Sequence, residues 1–213
     1  MKHGTGRAGG LTADDLERAL ASLANTEPHF AATLDRIGRP EPRGRTPGYE
    51  TLIRTIVGQQ VSVKAAQSIN ARLAETVGDI HSPSALLALE TEDLRGAGLS
   101  GQKASYVQSL AEHVVSGALD LDALPADDED AIAALTAVKG IGRWSAEVYL
   151  LFAEGRPDIW PAGDLAVQVA AGEILGLDAR PTEKALRTLA EPWRPHRGAA
   201  AILCWHHYNT DVM

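Results

Sequence analysis

"LTAVKGIGRWSAEVYLLFA", Leu135 to Ala153, joins two helical patterns through two glycines that bracket one isoleucine. A helix ending at Thr136 or Ala137 must reverse into one beginning near Gly142 within a few residues. Glycine accepts positive φ in such a turn without the penalty that a Cβ brings. The second helix then presents unpaired N–H groups and the positive end of its dipole beside Lys139 and Arg143. That arrangement suits an anion such as a phosphate, held mainly by backbone. An ordinary αα-hairpin with glycine at the helix C-terminus fits the same letters, so the turn alone leaves two readings open.

Outward from this stretch almost every segment reads as helix. In "YETLIRTIVGQQ", Tyr49, Leu52, Ile53, Ile56 and Val57 fall at offsets 0, 3, 4, 7 and 8, which is one apolar face. Helical patterns also cover Thr12–Ala24, Glu27–Ile37, Ser62–Val77, Gly101–Val115, Asp128–Thr136, Arg143–Ala153, Asp164–Leu175, Thr182–Ala190 and Gly198–Asn209. Many open on Ser, Thr or Asp and close near Gly. No segment alternates apolar and polar positions with a β-branched bias. The expectation is an all-α fold of about ten helices with short loops. The Pro/Gly/Arg-rich connector "GRPEPRGRTPG", Gly38–Gly48, is expected to wrap the surface rather than divide domains. "LRGAGLSGQKASYVQSLA", Leu94–Ala111, echoes the opening stretch and suggests a second helix-turn-helix unit.

Composition narrows the class. The chain has 213 residues and is 45% hydrophobic, so disorder is not the default and a sizeable core is expected. No apolar run is long enough to span a membrane. "MKHGTGRAGG" has no apolar centre and reads as a tail, not a secretory signal. The single cysteine, Cys204, excludes an intramolecular disulfide and a four-cysteine cluster and points to the cytoplasm. A net charge of −8 argues against nucleic acid as a partner. The objection is limited, because much of the acid sits in "DLDALPADDED", Asp120–Asp130, and a backbone amide site needs few lysines.

Five stretches resemble one family, four of them in that family's order. "VKGIGRWSA" is similar to the hairpin of the helix-hairpin-helix (HhH-GPD) DNA glycosylases, and "WPAGDLAVQ" to that superfamily's Gly/Pro-rich loop and following aspartate. "IVGQQVSVKAA" and "GLSGQKASYV" resemble two more of its stretches. The tail "EPWRPHRGAAAILCWHHY" resembles the last helices of its alkylation-repair branch, the 3-methyladenine DNA glycosylases II. The resemblance covers Tyr49 to Tyr208. The first 48 residues are too few and too helical for the extra β-domain that some members carry. It implies two helical lobes with a cleft between them. Residues 59–153 would form the central lobe with the hairpin, residues 11–58 with 154–213 the terminal-helix lobe, and 1–10 a tail. It further implies a monomer that acts on double-stranded DNA with damaged bases, without a cofactor.

The residue roles follow from the same resemblance. Val138, Lys139, Gly140, Ile141, Gly142 and Arg143 would contact DNA. A monovalent cation could sit on the carbonyls of Val138, Gly140 and Ala137, and no catalytic metal is expected. Members that also cut the strand carry a lysine just after the hairpin, which forms a Schiff base with the sugar. That position is Trp144 here, and the next lysine is Lys184. Simple hydrolysis to an abasic site is therefore expected. Asp164 would stabilise the oxocarbenium-like sugar or orient the water; a helix N-cap is the plainer reading, and the two are compatible. Trp144 and Trp205 match pocket walls for a cationic alkylated purine, with Tyr149 beside a third wall position that is Val148 here. Gln60 matches the wedge that fills the gap left by a flipped base, although a polar residue at a helix end would look the same. Two other readings stay open: a glycosylase for uracil, mismatched thymine or an oxidised purine, and a non-catalytic DNA-binding module.

Overall fold

In the computed structural model, residues 9–211 are described; the first eight residues of the expected tail lie outside them. Among the described residues there are twelve α-helices, one 3-10 turn at Glu191–Trp193 and no strand. The fold class is all-α, as the periodicity requires. Two helices are additional to those read from the sequence, α5 (Pro83–Leu87) and α6 (Thr91–Gly96). Each is too short for a 3.6-residue repeat to register. The chain divides into two compact units, Met1–Arg45 with Leu150–Met213, and Thr46–Tyr149.

The terminal unit contains α1 (Ala13–Thr26), α2 (Pro28–Ile37), α10 (Leu165–Ile174), α11 (Glu183–Leu189) and α12 (Arg197–Asp211). Its core sets Leu16, Leu20, Leu23 and Phe30 of α1 and α2 with the small residues of α10 and α12, among them Ala170, Ala171, Ala199 and Ala200. Trp160 and Trp193 are both 3% exposed and meet edge to face, centroids 5.4 Å apart, with Phe30 4.8 Å from Trp193. These two tryptophans belong to the core.

The middle unit holds α3 (Tyr49–Gly58), α4 (Val63–Val77), α5, α6, α7 (Gly101–Val115) and α8 (Asp128–Thr136). The division passes through α9 (Arg143–Phe152), between Tyr149 and Leu150. The sequence reading grouped α3 with the terminal helices. In the structure α3 packs on α4 and α7 and buries Leu52, Ile53, Ile56 and Val57 there. The connector does carry a division, at Arg45/Thr46. Its two ends are tied to different partners: Arg45 N donates to Phe152 O (2.7 Å), whereas Gly48 N donates to the Tyr149 hydroxyl (2.8 Å).

The internal echo is real at the level of backbone. In both turns a glycine with positive φ, Gly98 at 103° and Gly140 at 90°, is followed by a buried apolar residue, Leu99 or Ile141. Each turn then opens a helix, α7 or α9. The position just before that helix is Ser100 in one turn and Gly142 in the other.

Candidate active site

Asp164 is the N-cap of α10. Its carboxylate accepts from Val167 N (2.9 Å) and from the indole Nε1 of Trp205 (3.1 Å), both on Oδ1. The loop leading to it is shaped locally. Asp164 N returns to Pro161 O (2.9 Å), and the Gln168 side chain, one turn into α10, donates to Ala162 O (2.8 Å). Trp205 itself leans on Phe152, ring centroids 5.4 Å apart. A cap contributes about 1 kcal/mol, and a hydrogen bond to a charged group about 1.5–3 kcal/mol. The half-buried carboxylate is thus held in one orientation by backbone below and an indole beside it. Cys204, adjacent to Trp205, is fully buried; burial, and after it the charge of Asp164, push its thiol above the ordinary range.

The two hairpin glycines prove unlike. At Gly140, φ is 90° and a Cβ would lie 2.2 Å from the Tyr106 ring, so the fold demands glycine. At Gly142 a Cβ would meet nothing within 4 Å and φ is not in the left-handed region. Nothing inside the chain requires glycine there, and glycine brings no side chain of its own to the start of α9. Lys139 stands exposed beside it, with its backbone N bonded to Ser109 Oγ (3.3 Å). Arg143 departs from expectation. Its Nε donates to Glu147 Oε1 (2.9 Å) and its Nη1 to Glu129 Oε2 (2.8 Å), which ties α8 to α9. It is a staple within the hairpin, not a cation held out for phosphate. The side chains of Val138 and Ile141 are 1% and 4% exposed, so only their backbone can reach DNA. The carbonyl of Val138 accepts from Ile141 N (3.1 Å) and that of Gly140 from Gln59 Nε2 (2.9 Å).

Trp144, in the first turn of α9, is 47% exposed, which removes the reading of a buried core tryptophan. Tyr149 does not fit a base pocket. It is 1% exposed and its hydroxyl accepts from Gly48 N; Val148 is also buried. Neither can stack on a base, because both side chains are spent on the core.

Gln60 has φ 54°, the one non-glycine positive φ among the described residues, and its side chain is exposed. Strain of this kind persists only where neighbours over-determine it. Here Gln59 reaches the hairpin through Gly140 O, and Lys103 of α7 donates to Val57 O (2.8 Å) at the end of α3. Burial lowers the affinity of that ammonium for its proton. The turn carrying Gln60 is therefore clamped from both echoing turns. Gln59, Gln60, Val61, Ser100, Gln102, Lys103 and Tyr106 border a cavity of about 320 Å³.

A family model described as "HhH-GPD superfamily base excision DNA repair protein" matches residues 53–195. The chain belongs to this superfamily. DNA-3-methyladenine glycosylase 1 of Schizosaccharomyces pombe is 30% identical to it over 209 residues, 92% of each chain. A crystal structure of a DNA-3-methyladenine glycosidase from Bacillus halodurans superposes with TM-score 0.84 at 30% identity, covering 91% of this chain and 90% of that one. The Schizosaccharomyces pombe 3-methyladenine DNA glycosylase in complex with abasic DNA gives TM-score 0.75 at 29% identity, covering 92% and 97%. For an HhH-GPD protein, the residues missed in the sequence are the supports. Gln168 was readable as a polar residue one helical turn after Asp164. Gln59 was hidden by its neighbour, since both glutamines follow the same apolar stripe. Nothing local marks the Trp205 indole as a partner of Asp164, forty-one positions away.

Proposed function

We propose that this chain is a monofunctional DNA glycosylase. It hydrolyses the N-glycosidic bond of alkylated purines of the 3-methyladenine and 7-methylguanine type in duplex DNA and leaves an abasic site. Family membership and the names of the relatives support the activity. The observation that carries the site is the Asp164 carboxylate, fixed at the start of α10 by Val167 N and Trp205 Nε1.

Alkylation at N3 or N7 gives the purine a positive charge, so the base leaves with its bonding electrons without prior protonation. Positive charge then develops on the sugar as C1′ loses the base. A carboxylate already oriented beside C1′ stabilises that charge without reorganising, which is where fixed electrostatics lower a barrier most. Water adds to C1′ and gives up a proton to solvent, closing the hydrolysis. Trp144 offers no amine, so no Schiff base forms and the strand stays intact. Its exposed indole at the hairpin rim suits a cationic base face. Gln60, held in a strained turn, would enter the duplex where the base has left. The start of α9 at Gly142, with Lys139, would hold a phosphate.

The test is an abasic-site assay on alkylated duplex with wild type and Asp164→Asn side by side. Wild type should yield intact strands with abasic sites, and borohydride should trap no enzyme–DNA adduct. Excision by the Asn variant at the wild-type rate would remove Asp164 from the chemistry. Excision of uracil or an oxidised purine in preference to 3-methyladenine would redirect the substrate.

A further inference from the structure

The connector Gly38–Gly48 carries three arginines whose surroundings differ. Arg39 is taken up by Glu17, with Nε 2.8 and 2.7 Å from the two carboxylate oxygens. Arg43 and Arg45 are exposed, and neither makes a side-chain hydrogen bond or an ion pair among the described residues. Elsewhere arginine is mostly matched to acid: Arg54 to Glu50, Arg143 to Glu129, Arg187 to Glu183, Arg197 to Asp158. In a chain of net charge −8, two adjacent guanidiniums without an acid are an unmatched local feature.

The backbone beneath them is built tightly. Pro40 is buried, and Arg45 N is bonded to Phe152 O (2.7 Å). Glycines from three segments press main chain on main chain. A Cβ on Gly9 would fall 1.9 Å from Arg45 O and 2.5 Å from Ala153 O, and one on Gly44 would fall 1.9 Å from Gly9 O. One on Gly155 would fall 2.5 Å from Gly10 O. No side chain could be added at these points without moving the strap. The two guanidiniums stand on a fixed base, which lowers the ordering cost of any contact they make.

Their position relates them to Asp164. Arg43 borders a small cavity with Phe152, Ile202, Trp205 and His206, and a second hollow of about 470 Å³ with Pro42, Gly44, Arg45 and Phe152. The first is only about 20 Å³, too small for a purine. Its wall is the same Trp205 whose indole N–H reaches Asp164. The Trp205 ring thus stands between the small cavity beside Arg43 and the carboxylate.

We infer that Arg43 and Arg45 bind the phosphodiester groups of the lesion strand that flank the extruded nucleotide. The inference rests on the reading that the sugar lies at Asp164. The phosphates of a nucleotide with C1′ there must pass some face of this unit, and the strap stands on its Trp205 face. The guanidinium fork matches two phosphate oxygens, which a point charge does not. Glu41, exposed in the same strap, borders the small cavity beside Arg43 but makes no ion pair with either arginine among the described residues.

The test uses the full chain and a duplex with a tetrahydrofuran abasic analogue, which is not turned over. Binding is followed by anisotropy between about 50 and about 200 mM salt. Each lost phosphate contact should reduce the slope of log K against log salt by about 0.9, so Arg43→Gln with Arg45→Gln should reduce it by about 1.8. Arg39→Gln should leave the slope unchanged. Neutral methylphosphonates beside the analogue on the lesion strand should erase the difference between wild type and the double variant; on the opposite strand they should not. An unchanged slope in a double variant that unfolds at the wild-type temperature overturns the inference, as does erasure from the opposite strand. Failure of the catalytic reading is seen separately, as normal excision by Asp164→Asn.

Discussion

Helices α9 and α10 begin in opposite ways. The position before α9 is Gly142, with open space where a Cβ would stand. The position before α10 is Asp164, whose carboxylate is fastened by Val167 N and by an indole from α12. A third start, α7, is the ordinary case: Ser100 Oγ accepts from Lys103 N (3.2 Å) and closes the helix on itself. The α7 and α9 turns share a positive-φ glycine and a buried apolar residue, so backbone alone does not explain the difference at the cap. A cap that satisfies the helix internally leaves it nothing to offer. A missing cap leaves amides for an outside anion. A charged cap uses the helix to immobilise a group whose work lies elsewhere.

The largest expected effect falls on the charged start. Asp164→Asn keeps the shape and most of the capping, and it should slow single-turnover excision of 3-methyladenine by ~10²–10³ while DNA binding holds. A near-wild-type rate would make α10 a second ordinary start like α7. Next comes the contrast within the hairpin. Gly140→Ala forces a side chain into positive φ and against Tyr106, and should cost at least about 2 kcal/mol in urea unfolding. Gly142→Ala should stay within about 0.5 kcal/mol of wild type. Equal stabilities for the two variants would dissolve the distinction drawn between the glycines.

Trp205→Phe keeps a ring against Phe152 and removes the N–H given to Asp164. Excision should fall roughly ten- to a hundredfold, the value of a hydrogen bond to a charged group. The fall should appear in the maximal rate, not in half-saturation. A loss seen mainly in half-saturation would reassign Trp205 to stacking alone. The smallest change is an exchange of caps. Gly142→Ser and Ser100→Gly should each move stability by a few tenths of a kcal/mol. Only Gly142→Ser should weaken duplex binding, equally for all sequences, because its hydroxyl would occupy the amides that a phosphate needs. Undiminished binding by that variant would place the phosphate site elsewhere.

What could be read from the sequence follows from the range of each signal. The apolar stripe from Tyr49 to Val57 and the boundaries of α7 and α8 are local, and the structure has them where the pattern puts them. So is the cap role of Asp164. α5 and α6 were too short to show a period. The contacts that assemble the site are long in sequence and carry no local mark: Gln59 on Gly140 O, Lys103 on Val57 O, Trp205 on Asp164. The same limit explains the misplacements. Tyr149 looks like a pocket aromatic until its hydroxyl is seen to bond Gly48, and Arg143 looks like a phosphate ligand until Glu129 and Glu147 are found on either side of it.

The buried thiol of Cys204 has one more consequence. The agents that alkylate DNA are electrophiles, and within proteins their preferred target is the thiolate. The chain's single cysteine is 0% exposed, and its surroundings keep the proton on sulfur. A buried, protonated thiol is a poor target for such agents, so Cys204 should resist modification under conditions that alkylate exposed thiols.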